Sequence, residues 1–504
     1  MTRRVLLINP TITSARSARF PLAVMSLGAA LEEHGFTTRM IDGNVDREFV
    51  ATTRRLLGEE RYDAVGVTVM GGPQVRTAID VSKAIREITP ATPIVWGGYF
   101  PTICPTPSVA APFVDYVVRG QGEEAFRELL GAHASGDGVE RIAGLSYRRD
   151  ARAVHNPDRP FSAARLAYGL PYDRLENPAR YLGQTYLGRR TAGYQAAFGC
   201  RFRCTFCGVA TMFKGRTALP AAARLDADLR YFKRELGVDG IQFYDHNFFD
   251  REEETLPLVE VLADHQLPWW CFARSDALVN LSAEGWKLVR RSGLRMAYIG
   301  AESPSDAMLH DIRKGTRSDQ TLAAVEVCRR NGVIPELSFM LAPPGDPEGE
   351  TEKTFRFIRE IKRVHPHTEV MLYIYTPLPP SDHDRDRQHP KKLRNAAALR
   401  DTEGRPLEFP TTVEGWAEPH WVRYWCHVDA PWLTDRLRRR IRDFTTVLGS
   451  RFPTIMDIRS PRYAKRALRW LSAWRYRFER YDRPWELDLS RQLVKLHDPR
   501  AASL

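Results

Sequence analysis

The chain is 504 residues long, 43% hydrophobic and 27% charged, with a formal net charge of +12. That length is more than one ordinary core organises, so two or three globular domains are expected, and the composition argues against a fibrous or disordered chain. With no apolar run long enough to cross a bilayer and no leader-like start, the sequence reads as cytoplasmic with no transmembrane segment. The charge is uneven, residues 381–504 holding 26 Lys/Arg against 17 Asp/Glu.

Residues 4–133 predict short strands at Val5–Ile8, Thr37–Ile41, Ala64–Val69, Pro93–Trp96 and Tyr116–Val118, with helix-length segments between them. This alternation is the pattern of a doubly wound, Rossmann-like parallel sheet, whose ligands bind beyond the carboxyl ends of the strands. Those ends are rich in residues that let a backbone approach a ligand: Thr68, Met70, Gly71 and Gln74 after the third strand; Gly97, Gly98 and Thr102 after the fourth; Gly120, Gln121, Gly122 and Glu123 after the fifth. Tight turns alone would explain one or two such loops. All of them together point to a large flat ligand.

A first domain is thus expected over 1–140. A linker follows over 141–190, opening with a hairpin of Leu145–Arg148 against Ala153–His155 and continuing through Pro157, Pro160, Pro171 and Pro178. A second βα series over 191–380 predicts strands at Ala192–Phe198, Ile241–Tyr244, Trp269–Ala273, Met296–Ile299, Glu336–Met340 and Val370–Tyr375, with its chemistry at the strands' carboxyl ends. The polar run Ser381–Pro390 reads as a surface linker. A mostly helical C-terminal domain over 381–504 holds seven of the eleven tryptophans and mixes Arg with aromatics. Packing, a cap with Arg contacts to an anionic substrate, and a basic amphipathic face resting on an anionic membrane are three readings of that mixture. No nucleic-acid module accompanies the charge.

Seven cysteines do not form a disulfide pattern. Cys104, Cys271, Cys328 and Cys426 read as buried small hydrophobes. Cys200, Cys204 and Cys207, spaced C-x3-C-x2-C, can ligate three irons of a [4Fe-4S] cluster and leave the fourth open; zinc usually takes a fourth protein ligand and redox pairs use C-x-x-C.

At these residues the chain resembles the radical S-adenosylmethionine (SAM) enzymes, with a partial (β/α)6 barrel whose open iron chelates SAM. The resemblance implies that Phe206 packs on the SAM adenine, Asp245 meets its amino group, Arg274 its carboxylate and Glu302 its ribose. Leu341 to Thr351 resembles the family's P-G-E-T turn split by an insertion, and Tyr375 to Pro380 its T-P-x-P-G ending. The glycine loops of the first domain resemble the cobalamin-binding domain preceding the barrel in one group of these enzymes. The D-x-H-x-x-G signature is missing, since no His lies between His34 and His133, so cobalamin is expected base-off with no histidine beneath it. Together the two halves resemble the cobalamin-dependent radical SAM methylases, a group that also contains the anaerobic oxidative cyclase of bacteriochlorophyll synthesis. The resemblance implies C-methylation of an unactivated carbon of a small-molecule substrate, anionic in one reading, with a one-electron reductant such as flavodoxin or ferredoxin. Corrin-assisted cyclisation, ring contraction or oxygen insertion, and a non-catalytic cobalamin-binding protein, are the alternatives.

Overall fold

The computed structural model describes residues 3–136, 138–163, 166, 168–379, 395–455 and 462–494. Strands β1 (Arg3–Asn9), β2 (Phe36–Asp42), β3 (Ala64–Thr68), β4 (Ile94–Gly97) and β5 (Tyr116–Val118) pair in parallel in the order β2-β1-β3-β4-β5. Val5, Leu6, Leu7 and Ile8 are all fully buried, as befits a strand with helices on both faces. The hairpin assigned by sequence to the linker instead extends this sheet: β6 (Leu145–Arg149) pairs antiparallel with β5, and β7 (Arg152–His155) with β6. Buried Leu145 and Tyr147 give it an apolar face that would be exposed away from the sheet.

The second sheet is six-stranded and wholly parallel. Strands β8 (Thr191–Tyr194), β11 (Gly240–Phe243), β12 (Trp269–Ala273), β13 (Leu294–Glu302), β14 (Ile334–Leu341) and β15 (Glu369–Ile374) run in the order β15-β14-β13-β12-β11-β8. β8 stops four residues short of its sequence expectation, because the backbone N–H groups of Ala196 and Ala197, just beyond Gln195, turn to the Asp245 carboxylate. The chain then forms a two-stranded ribbon, β9 (Phe198–Gly199) against β10 (Thr217–Ala218). Alternation along the strands sends Trp269 and Phe243 into the packing against the outer helices, and Trp270, Phe272, Tyr298 and Tyr244 to the inner face.

One hydrophobic core runs through both halves; Phe20 of the first packs on Tyr172 and Phe232 at centroid distances of 5.0 and 5.8 Å. The C-terminal region is helical, with helices at Val413–Trp416, Pro419–Trp425, Asp435–Arg451, Arg462–Arg477 and Trp485–Val494. It is fastened to the carboxyl ends of the barrel strands: Tyr424 Oη donates to the Pro377 carbonyl at 2.6 Å, Trp432 Nε1 to that of Ala342 at 2.8 Å, and the Ile374 N–H to that of His427 at 2.8 Å. The insertion in the split turn becomes a helix start, Asp346 capping Pro347–Val364, while Thr351 Oγ1 receives the Ala342 N–H. The polar run 381–390 lies outside the described residues. Among those described, no helix is long and apolar enough to cross a membrane.

Candidate active site

The three clustered thiols lie on the loop between β9 and the helix Gly208–Phe213, all partly buried and all free. Gly199 opens the loop at φ 85°, where a Cβ would meet the Arg216 carbonyl at 2.1 Å, so only glycine fits. The loop is pinned by the Thr205 N–H on the Ile312 carbonyl (3.0 Å) and the Cys207 N–H on that of Cys204 (3.2 Å). Burial pushes the Cys207 thiol up to about 12 and raises that of Cys200, where the nearby Arg274 charge opposes the shift. Among the described residues no three His, Cys, Asp or Glu side chains converge on a single ion position. The donor set, three free thiols on one pinned loop, fits a cluster bound through separate irons better than a lone ion.

Phe206 packs with Leu309, Ile312, Met340 and Tyr375, an apolar shelf behind the thiols. Glu302, at φ 62°, forms a buried ion pair with Lys314 at 2.6 Å, and Lys314 Nζ lies 6.0 Å from the Phe206 ring. A side chain on Gly300 would strike both charged groups. Arg274 is buried, bidentate to Asp276 (2.9 and 3.1 Å), bonded to the Lys314 carbonyl and stacked 3.5 Å over Phe202. Asp245 is 1% exposed and takes the Ala196 and Ala197 N–H groups; burial raises its pKa to about 7 against those bonds. Asp245 thus fixes the turn out of β8, and Arg274 the Phe202 end of the thiol loop, so both expected SAM contacts already have protein partners. Polar atoms without a protein partner lie instead at Thr205 Oγ1, Asn247 Oδ1, Ser275 Oγ and Thr316 Oγ1, in the thiol loop and in the segments that follow β11, β12 and β13. Such buried orphans call for a polar ligand.

At the carboxyl ends of the first sheet, Thr68, Gly97, Gly98, Gly120, Gln121, Gly122 and Glu123 line a cavity of about 130 Å³, completed by Val24 and Leu27 of the helix Leu22–Glu32, by Phe126, and by Met212 and Phe213 of the thiol-bearing half. Met70 is half exposed beside it. Gln74 and Thr102 do not reach this cavity: Gln74 is fully buried, accepting the Met70 N–H and donating to Asn9 and Pro10, and Thr102 accepts the Gly120 N–H. They shape the loops because a side chain one turn into a helix points back under the preceding strand end. Gln121 holds the Ser162 backbone at 2.8 and 2.6 Å. Gly71 and Gly72, at φ 105° and 59°, lie against Trp425 and Cys426; a Cβ on Gly71 would sit 2.1 Å from the Trp425 Nε1. A Cβ on Gly208 would likewise sit 2.0 Å from the Tyr99 hydroxyl.

The barrel interior is aromatic. Phe272 lies 4.7 Å from Trp270 and 4.9 Å from Tyr298 between ring centroids, and Tyr298 Oη donates to Tyr373 Oη at 3.1 Å. Trp270 Nε1 donates to Glu336 at 2.8 Å, and burial pushes this carboxyl up to about 7. Arg19, from the loop after β1, is exposed and lies 4.4 Å over the Tyr244 ring; no acidic side chain pairs with it among the described residues. His427, at φ 56°, holds Thr376 through Nδ1 and is kept neutral by burial, which lowers its pKa to about 4. Sequence reading missed Arg19, Lys314, Glu336 and His427. A lone carboxylate inside the apolar run Ile334–Leu341 was the available signal for Glu336; the others are placed by loops.

Residues 8–130 match the B12 binding domain family and residues 194–358 the Radical SAM superfamily. The chain is 26% identical over 373 residues to an uncharacterized methyltransferase of Pyrococcus horikoshii, covering 71% of this chain and 78% of that one. It is 23% identical over 345 residues to the anaerobic magnesium-protoporphyrin IX monomethyl ester cyclase of a Synechocystis species, covering 66% and 67%. Among solved structures, the radical S-adenosylmethionine methyltransferase TsrM of Kitasatospora setae, with cobalamin and a [4Fe-4S] cluster bound, superimposes with a TM-score of 0.64 at 20% identity, covering 82% of this chain and 84% of that one.

Proposed function

We propose that this chain, a Radical SAM superfamily protein with an N-terminal B12-binding domain, is a cobalamin-dependent C-methyltransferase acting on an unactivated carbon of a small molecule. Cys200, Cys204 and Cys207 would hold three irons of a [4Fe-4S] cluster. Phe206, Glu302 with Lys314, and the orphaned polar atoms of Thr205 and Asn247 would surround SAM, while Asp245 fixes the turn out of β8 and Arg274 the Phe202 end of the loop that presents the cluster. The glycine-lined cavity with Thr68, Gly97, Gly98, Gly120, Gln121, Gly122 and Glu123 would take part of the cobalamin, and these loops offer no histidine to it.

When bound, the cluster supplies the electron that cleaves SAM and the corrin carries the methyl group. The rest is positioning. The aromatic inner face of the barrel, Phe272, Tyr298 and Tyr244, would orient the substrate and exclude water. Glu336, with Trp270 on Oε2, would carry a proton on Oε1 in about half of the molecules at neutral pH and in most of them below it, and in that form donate a hydrogen bond. Arg19, with no acidic partner among the described residues, would receive an anionic group of the substrate. A flavodoxin- or ferredoxin-type protein would serve as electron donor.

The observation that carries this reading is the close join between the two strand-end sites, Tyr99 of one packing on Gly208 beside the thiols of the other. The test is anaerobic reconstitution. Wild-type protein is expected to carry cobalamin and to cleave SAM under dithionite, and Cys204→Ala to cleave none; retained cleavage in that variant refutes the cluster assignment. Methyl-labelled SAM then separates methylation from cyclase-type chemistry, the reading favoured by the Synechocystis relative: label in the product supports methyl transfer, and unlabelled product rejects it.

A further inference from the structure

The tryptophans of the C-terminal region fall into two sets. Trp416, Trp421 and Trp432 are buried and Trp425 partly so, but Trp470, Trp474 and Trp485 are 79%, 59% and 70% exposed. On the helix Arg462–Arg477, Leu468 and Ser472 face the protein. Trp470 and Trp474, one turn apart, continue with Phe478 into an outward stripe. Leu471, Trp485 and Leu489 widen it.

Charge divides in the same way. Residues 462–494 hold nine Lys/Arg and four Asp/Glu, and each of the four acids has a polar partner, Glu479 in Arg359, Asp482 in Arg440, Glu486 in Arg475 and Asp488 in Thr446, with Glu479 and Asp482 themselves exposed. Arg466, Arg469, Arg477 and Arg480 are exposed, and no acidic side chain pairs with them among the described residues. The outward surface is therefore aromatic and cationic together. Indole rings favour the water–lipid boundary, and guanidinium groups beside them meet anionic headgroups. A second copy of this chain would bring like charges face to face, which disfavours it as the occupant.

We propose that this face docks the protein on an anionic lipid bilayer, lying in the interface without crossing it. The inference stands on the C-terminal helices alone and is independent of the chemistry proposed for the barrel.

The test uses the full chain with sucrose-loaded vesicles of phosphatidylcholine, with or without 30% phosphatidylglycerol as an assay composition of about that value. Sedimentation is expected with the anionic vesicles, weakening at high salt and falling at least tenfold for Trp470→Ala/Trp474→Ala/Phe478→Ala and for Arg466→Glu/Arg469→Glu/Arg477→Glu. Brominated acyl chains should quench wild-type tryptophan emission, and less so that of Trp470→Phe/Trp474→Phe, a variant that keeps the apolar surface. No binding to anionic vesicles, equal binding by the aromatic and charge variants, or a wild-type dimer in sedimentation velocity that Trp474→Ala dissociates would each overturn the proposal.

Discussion

Glu336 offers a clean measurement of the barrel interior. Its carboxyl is raised from 4.5 to about 7, by burial first and by Glu369 second, with the Trp270 hydrogen bond opposing. A carboxyl whose folded pKa is raised binds its proton more tightly in the folded than in the unfolded chain. Stability is thus greatest below the unfolded value and falls as pH rises towards the folded one. At about 1.4 kcal/mol per unit, the fold loses about 2.5 kcal/mol between pH 5 and pH 8 through this group alone. Glu336→Gln keeps an oxygen for Trp270 Nε1 and removes the titration. Urea unfolding of metal-free protein, followed by tryptophan emission, should show the variant gaining about 2.5 kcal/mol on wild type between the two pH values. A variant-to-wild-type difference constant with pH would mean that Glu336 is already ionised at pH 5, and the neutral hydrogen-bond donor assigned to it would fall.

Gly71→Ala adds a Cβ into the Trp425 indole at φ 105° and should cost about 1–3 kcal/mol, part of which Trp425→Ala restores; additive losses in the double-mutant cycle would contradict the close approach. Lys314→Met strands the Glu302 carboxylate and should destabilise by about 3–5 kcal/mol in thermal unfolding, with weaker SAM retention on equilibrium dialysis; an unchanged midpoint would place the pair in solvent. Arg19→Gln should raise KM for an anionic substrate at least tenfold while Arg19→Lys raises it less, and equal KM values in both variants and wild type would remove Arg19 from the substrate site.

The two sheets were legible because the central strands, such as Val5–Ile8 and Ala64–Thr68, are short apolar runs buried on both faces, with no polar alternation to confuse the pattern. The thiol triad was legible for a different reason: its spacing is local. What could not be read depended on distant chain meeting distant chain. Asp245 is visible as an acid at a strand end, but nothing near it says that the backbone of Ala196 and Ala197 would turn to it. Gln74 and Thr102 look like their glycine neighbours in sequence and are turned beneath the loops they follow. The tryptophans of the last helices resisted reading because both faces of the helix Arg462–Arg477 carry apolar side chains, so periodicity does not say which face the barrel covers.

Two glycines, Gly71 and Gly208, each receive one aromatic side chain from another part of the chain, Trp425 and Tyr99 respectively. The three regions are keyed to one another like parts cut on the same bench. A B12-binding half grafted from a relative with a bulkier aromatic at position 99, or with any side chain at position 71, would not seat. Shuffled hybrids of this architecture should therefore succeed only when these knob-and-notch pairs travel together.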